Sequence, residues 1–270
     1  MIDAGLGASW AAWAGCYALP IFFVLLGLLL AASYACWRAL QRYATPRRAA
    51  DSLPSLSMGQ RVAAGIAVVL TGVAVFAALA AQLAAGQEPG PADQAFADAL
   101  RAGLPQAALL AFSALTYLGD KTTLGGLCIA VALALIARRR HWLALGWVVA
   151  VVGNSVLNRT LKQIFGRVRP LNQDGLVLEP GFSFPSGHSS GSVVAYGMLA
   201  YLALRLLPPR WHLPTLLAMA ALAFTVGASR VFLTVHFASD VIAGFASGTA
   251  WLAICVTGIE LMRWRRQRTA

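Results

Sequence analysis

Seven long apolar runs, most of them ended by arginines or prolines, leave this chain very few folds to choose from. They cover about Cys16 to Trp37, Val62 to Ala85, Thr122 to Ala137, Trp142 to Leu157, Ser189 to Leu206, Leu213 to Ala228 and Phe237 to Met262. A spanning helix needs roughly 17–25 apolar residues, and in lipid only helices and closed barrels satisfy every backbone polar group. Just 11% of the 270 residues are charged and 59% are hydrophobic; a soluble domain carries about 25% charged residues. The expected fold is all-α, a polytopic membrane helical bundle. The stretch Ala95 to Tyr117 holds Asp98, Arg101 and Pro105 and is less apolar. It reads as an interfacial helix or a cap on the bundle, not as a span.

The net charge of +11 is distributed in a way that orients the bundle and removes nucleic acid as a partner. Placing the loops after the first, third, fifth and seventh runs in the cytoplasm puts 14 of the 21 basic residues there. These are Arg38, Arg42, Arg47, Arg48 and Arg61, then Arg138, Arg139 and Arg140, then Arg205 and Arg210, and finally Arg263, Arg265, Arg266 and Arg268. The positive-inside rule then gives an outside N-terminus and an inside C-terminus. Seven basic residues break the rule: Arg101, Lys121, Arg159, Lys162, Arg167, Arg169 and Arg230. Five of these fall in two short segments, which calls for a local reason such as anion binding.

The four cysteines, Cys16, Cys36, Cys128 and Cys255, lie in or beside apolar runs without metal-type spacing and read as small core residues. No Gly-rich nucleotide loop and no metal-ligand set stands out, so neither cofactor nor metal is expected. The opening residues MIDAGLGASWAAWAGC carry no basic residue, so they lack the start of a signal peptide.

The most informative stretch is SRVFLTVHFASD, Ser229 to Asp240. If the chain is helical from His236, then His236 and Asp240 stand one turn apart on one face. A carboxylate so placed takes a hydrogen bond from one imidazole nitrogen and leaves the other free. Arg230 adds a fixed positive charge suited to a phosphate. Two further patterns fall at the same predicted membrane level: KQIFGRVRP, Lys162 to Pro170, and FPSGHSSG, Phe184 to Gly191. Taken singly, the first is a solvated basic loop and the second a turn that caps a helix. Together they gather two histidines, a carboxylate and three phosphate-suited cations.

This set, K-x6-RP, PSGH and SR-x5-H-x3-D, resembles the signature of the type 2 phosphatidic acid phosphatase family, membrane lipid phosphatases. The matching positions are Lys162, Arg169 and Pro170; Pro185, Ser186, Gly187 and His188; and Ser229, Arg230, His236 and Asp240. The resemblance runs from about Val62 to the C-terminus. It implies a six-helix core over 62–270, with residues 1–61 as an added N-terminal transmembrane helix and cytoplasmic linker. It also implies roles that the residues suit physically. His236 would attack phosphorus and form a phosphohistidine. Asp240 would hold its tautomer. His188 would protonate the leaving alkoxide and then activate water. Lys162, Arg169 and Arg230 would neutralise the phosphoryl oxygens, with Ser186 and the Gly187 backbone N–H as further donors. Arg159 and Arg167 lie outside the signature and read as solvated loop residues, or as contacts to a second phosphate or to lipid headgroups.

The expected protein is a metal-independent lipid phosphatase in the lipid bilayer of a bacterial cytoplasmic membrane, with its site on the periplasmic side. Its substrate would be of the phosphatidic acid, phosphatidylglycerophosphate, diacylglycerol pyrophosphate or undecaprenyl diphosphate type. A phosphotransferase using the same site is the nearest alternative. A transporter of phosphorylated lipid would need charges or paired helix breaks at mid-membrane, and none is evident.

Overall fold

The structure, a computed structural model, describes residues 2–43, 57–84, 91–170 and 179–269. Arg47, Arg48 and the rest of the expected linker at 44–56 lie outside the described residues, as do 85–90 and part of the polar loop, 171–178. Ten α-helices make up the described chain, and no strand occurs among the described residues. They are α1 (Ile2–Cys16), α2 (Ala18–Tyr43), α3 (Met58–Ala84), α4 (Pro91–Gly103), α5 (Gln106–Thr116), α6 (Lys121–Ala137), α7 (His141–Phe165), α8 (Gly187–Leu206), α9 (His212–Phe232) and α10 (Ala238–Thr269). Short 3-10 turns, Tyr117–Gly119 and Pro209–Trp211, precede α6 and α9.

All seven apolar runs are helical, but they do not all meet lipid in the same way. Five helices are long and apolar enough to cross a membrane: α2, α3, α7, α9 and α10. The helix α6 is a shorter apolar segment, and α8 is less apolar than these five for a physical reason. It runs through the middle of the bundle against α7, α9 and α10. Ser189, Ser190 and Ser192 are buried on it beside Val194, Tyr196 and Met198. A helix surrounded by protein can carry small polar residues that a lipid-facing helix cannot. By contrast, α2 and α3 bury little of their length within the protein.

The stretch expected to be one interfacial helix is two. Pro105 sits at the N-cap of α5, and α4 and α5 are bent by 116° across the break. Proline lacks the N–H that a continuing helix needs and restricts the residue before it. The helix α4 packs on α1, and α5 packs on α9, where Phe112 stacks on Phe232 at 4.2 Å. Phe22 of α2 meets Phe112 edge-on at 5.4 Å, so the N-terminal span joins this aromatic core.

Local signals explain several boundaries. At the start of α3, Ser57 and Gln60 form a reciprocal capping box: Ser57 N donates to Gln60 Oε1 (2.9 Å) and Gln60 N to Ser57 Oγ (3.3 Å). The helix α7 ends at Gly166, whose φ of +58° is the left-handed cap that glycine adopts without cost. Indole N–H groups tie helices together: Trp147 donates to Cys128 O, and Trp251 to Ala150 O, both at 2.9 Å. Of the four cysteines only Cys128 is buried, while Cys16 and Cys36 are exposed on their helices. The expectation of four core cysteines therefore holds for Cys128, fails for Cys16 and Cys36, and is half met by Cys255.

Candidate active site

The ends of α7, α8, α9 and α10 that meet at one end of the bundle, with the loops joining them, carry the residues of the three signature patterns. The placement begins in the loop from α9 to α10. Thr234, with φ of +50°, turns the backbone so that Val235 N and His236 N both donate to Arg230 O at 3.2 Å. A threonine in this region is strained by about 1–2 kcal/mol, which the surrounding packing must offset. The chain is not helical from His236, since α10 begins at Ala238; the turn instead folds His236 against the first turn of α10, so that it still meets Asp240. Both are almost wholly buried.

The tautomer of His236 follows from its neighbours. Arg169 Nη1 lies 3.1 Å from His236 Nε2. A guanidinium only donates, so Nε2 must present a lone pair and the proton must sit on Nδ1. That Nδ1–H faces Ser183 Oγ at 3.2 Å and Asp240 Oδ2 at 3.4 Å. Ser183 in turn donates to Asp240 Oδ2, as does the backbone N–H of Phe237 at 3.0 Å. Burial pushes His236 down to about 3, although Asp240 pulls it back up. The imidazole is thus neutral near pH 7, with its free lone pair aimed at a guanidinium.

The cations form a cradle around that lone pair. Arg169 is pinned by Nε to Gly181 O (3.0 Å) and by Nη1 to Val235 O (2.7 Å). Burial lowers its pKa, while Glu179 and Asp240 raise it. Arg230 is fully buried, with Nη1 donating to Thr116 Oγ1 at 2.6 Å. Lys162 donates from Nζ to Phe182 O and, at 3.4 Å, to Ser183 O. The Glu179 carboxylate stands in the cradle, 2.8 Å from Arg230 Nη2 and 3.8 Å from Arg169 Nη2. An anion of the protein thus occupies the place where the cations converge.

On the other side of the cradle is His188, in the first turn of α8. Ser186 is the N-cap of that helix: its Oγ accepts from Ser189 N at 3.4 Å and from Ser189 Oγ at 2.9 Å. Its backbone N–H donates to Asp240 O at 3.0 Å, joining the PSGH turn to the start of α10. Gly187 begins the helix beside it.

Besides Glu179, three residues enter the site unannounced by the sequence. Ser183 links His236 to Asp240. Asp120 Oδ1 lies 2.7 Å from His188 Nε2, and burial raises this carboxyl against the pull of Arg230. Asp93, at the start of α4, holds Arg167 Nη2 at 2.8 Å, while Arg167 Nη1 reaches Asp240 Oδ1 at 2.6 Å. Arg167 is therefore a buried member of the site and not a solvated loop residue; Arg159 is exposed. Ser183 lies two residues before Pro185 of the PSGH turn, and Asp93 and Asp120 carry no local pattern that marks them.

Asp120, Glu179 and His188 also bring one ligand-capable atom each within 4.8 Å of one another, a set that no spacing in the sequence reveals. Two guanidiniums already share Glu179, so a divalent cation there would face two fixed positive charges. The arrangement suits an anion better than a metal.

A sequence profile of the PAP2 superfamily matches residues 141–264, which hold every signature position. Phosphatidylglycerophosphatase B of Bacillus subtilis is 35% identical over 136 residues, 50% of this chain and 66% of that protein. An undecaprenyl-diphosphatase of Sulfolobus acidocaldarius is 33% identical over 48% of this chain and 61% of its own length. A lipid A 1-phosphatase of Rhizobium johnstonii is 35% identical over 45% and 49%. The chain thus spans from about half to about two thirds of the length of these curated relatives. The crystal structure of a transmembrane PAP2-type phosphatidylglycerolphosphate phosphatase from Bacillus subtilis is similar with a TM-score of 0.62 and 30% identity. That likeness covers 69% of this chain and 94% of the other.

Proposed function

Because the chain belongs to the PAP2 superfamily, we propose that it removes phosphate from a phosphorylated membrane lipid by way of a phosphohistidine. The observation that carries this reading is the division of labour on His236. Its Nδ1–H is committed to Ser183 and Asp240, and its Nε2 lone pair faces Arg169. A phosphoryl group that displaces Glu179 would meet Arg169 and Arg230 with phosphorus in reach of that lone pair.

In the first half-reaction Nε2 attacks phosphorus and the bond to the lipid oxygen breaks. Asp240 stabilises the imidazolium that forms. His188 gives its proton to the departing oxygen. In the second half His188 takes a proton from water, the hydroxide attacks phosphorus, and the N–P bond breaks to release inorganic phosphate. Lys162, Arg169 and Arg230 neutralise the charge spread over the phosphoryl oxygens, so the chemistry needs no metal. Gly187 N–H and Ser186 stand at the positive end of α8 as additional anion contacts. The relatives named above are a phosphatidylglycerophosphatase, an undecaprenyl-diphosphatase and a lipid A 1-phosphatase, and this supports testing lipid monoesters and diphosphates first. Residues 62–270 would form the catalytic core, with α2 as the added span.

The basic clusters at the opposite helix ends support a site on the periplasmic face of a bacterial cytoplasmic membrane. Phosphate release from detergent-solubilised protein, measured with a panel of lipid monophosphates and diphosphates in excess EDTA, tests the reaction. Absence of turnover on every lipid, or its loss with EDTA, would overturn the reading. A membrane-impermeant maleimide in intact cells tests the face: a cysteine placed at Lys121 in a cysteine-free background should be labelled, and one at Arg139 should not.

A further inference from the structure

We propose that Asp120 is a positioning residue for His188: its carboxylate holds the proton of Nε2 and so leaves Nδ1 as the nitrogen that exchanges protons with substrate and water. The proposal rests on the function given above and assigns a residue that lies outside both the family signature and the matched region 141–264.

The turn that carries Asp120 is built against the site at several points. Thr116 accepts from the buried Arg230 guanidinium at 2.6 Å. Leu118 O accepts from Tyr196 OH of α8 at 2.7 Å, on the same helix as His188 and two turns along it. Gly119 is buried against the imidazole: a Cβ built there would come 2.9 Å from His188 Cδ2 and would collide with Val226 Cγ1. Only glycine lets the backbone approach this closely. Asp120 then places Oδ1 2.7 Å from His188 Nε2. Four contacts, from Thr116, Leu118, Gly119 and Asp120 to α9, α8 and the imidazole itself, fix one carboxylate on one ring nitrogen. A surface aspartate that met a histidine by chance would not need a glycine beside it and two hydrogen bonds, one of them buried, behind it.

The chemistry follows from the tautomer. An ionised Asp120 accepts from Nε2–H, so the mobile proton of the imidazolium sits on Nδ1. As the P–O bond breaks, that Nδ1 proton passes to the lipid oxygen, and the ring becomes neutral with Nε2–H still on Asp120. When water attacks the phosphohistidine, Nδ1 recovers a proton. Asp120 thereby stands to His188 as Asp240 stands to His236: each catalytic imidazole has its own carboxylate, one supplied from the turn before α6 and the other from α10.

A residue that acts through proton donation matters most when the leaving group is poor. The test compares kcat/KM of Asp120→Asn on dioctanoyl phosphatidic acid, whose leaving group is an alkoxide, with that on 4-nitrophenyl phosphate, whose phenolate leaves without help. The ratio kcat/KM reports the steps up to departure of the leaving group, so slow dephosphorylation does not blur the comparison. The expected result is a loss of about tenfold to a hundredfold on the alkyl substrate and little on the aryl one. His188→Ala should shift the same ratio further in the same direction, and Asp120→Glu should restore part of it. Partial unfolding lowers both rates together and leaves the ratio unchanged. An unchanged ratio in Asp120→Asn, beside a shifted one in His188→Ala, would overturn the positioning role alone. An unchanged ratio in both variants would instead overturn the role of His188 in the underlying mechanism.

Discussion

Arg167 Nη1 lies 2.6 Å from Asp240 Oδ1, which places a buried cation on the side of the carboxylate that faces away from His236. Its other nitrogen reaches Asp93 Oδ2 at 2.8 Å, and its guanidinium lies over the Phe237 ring at 4.4 Å. The carboxylate that orients His236 is thus itself oriented, by a chain of contacts that begins on α4.

Breaking that chain should impair both folding and catalysis. Arg167→Ala strands Asp240 as a buried charge without its ion-pair partner, a change that costs about 3–5 kcal/mol. Thermal melting in detergent should show a lower Tm, and the folded fraction should lose about 10–100-fold in kcat/KM through misplacement of His236. Asp93→Asn, at the partly exposed end, should show a smaller version of both effects. Wild-type kcat/KM in Arg167→Ala would show that Asp240 holds its place unaided.

The covalent intermediate should be visible. Denaturing quench during turnover should trap an acid-labile, base-stable phosphoryl adduct of 80 Da on the peptide that contains His236. In His188→Ala the adduct should form from an aryl phosphate and persist, because the base that activates water is absent. His236→Ala should form no adduct and lose ~10⁴-fold or more in activity. An adduct on any other residue would displace His236 from its role.

The buried neutral imidazole also predicts a pH dependence of stability. Burial lowers the pKa of folded His236 from 6.5 to about 3. Between these values the unfolded chain binds a proton that the folded chain refuses. Its contribution is therefore constant above pH 6.5 and is lost as pH falls from there towards 3, by at most about 1.4 kcal/mol per unit. Wild-type Tm should drop more steeply between pH 7 and pH 5 than that of His236→Gln. Parallel slopes would mean that other groups govern the acid sensitivity.

At the far end of the bundle a second polar cluster is structural. Glu260 of α10 pairs with Arg61 of α3 at 2.9 Å and with Arg205 of α8, and Tyr201 OH donates to it at 2.6 Å. Glu260→Gln should lower stability by about 1–3 kcal/mol, or roughly 3–10 °C in Tm, and leave kcat/KM of the folded protein unchanged. A loss of activity at unchanged Tm would link this end to the site.

Much of the fold could be read from the apolar runs because the membrane sets both the length of a span and the cost of a charge. All seven runs became helices over their described residues. The bend at Pro105 was less legible, since moderate polarity is shared by an interfacial helix and by two helices that meet at an angle. Exposure was misread for Cys16 and Cys36, because apolarity alone does not distinguish a face left open from one that packs on protein. The same ambiguity hid the central place of α8, which reads as one span among seven although protein surrounds its serines.

What the sequence carried by itself was the set of groups proposed to do the chemistry: His236 with Asp240 four residues on, the PSGH turn, and the cations Lys162, Arg169 and Arg230. Spacing along one helix or one loop is local, so it survives in the linear order. Only the tertiary structure decided which groups stand behind them. Arg167 reaches Asp93 across 74 residues, and His188 reaches Asp120 across 68. Those pairings are set by the order in which helices pack, which leaves no period in the sequence. They matter because a buried ionised group must find its partner wherever the fold places one.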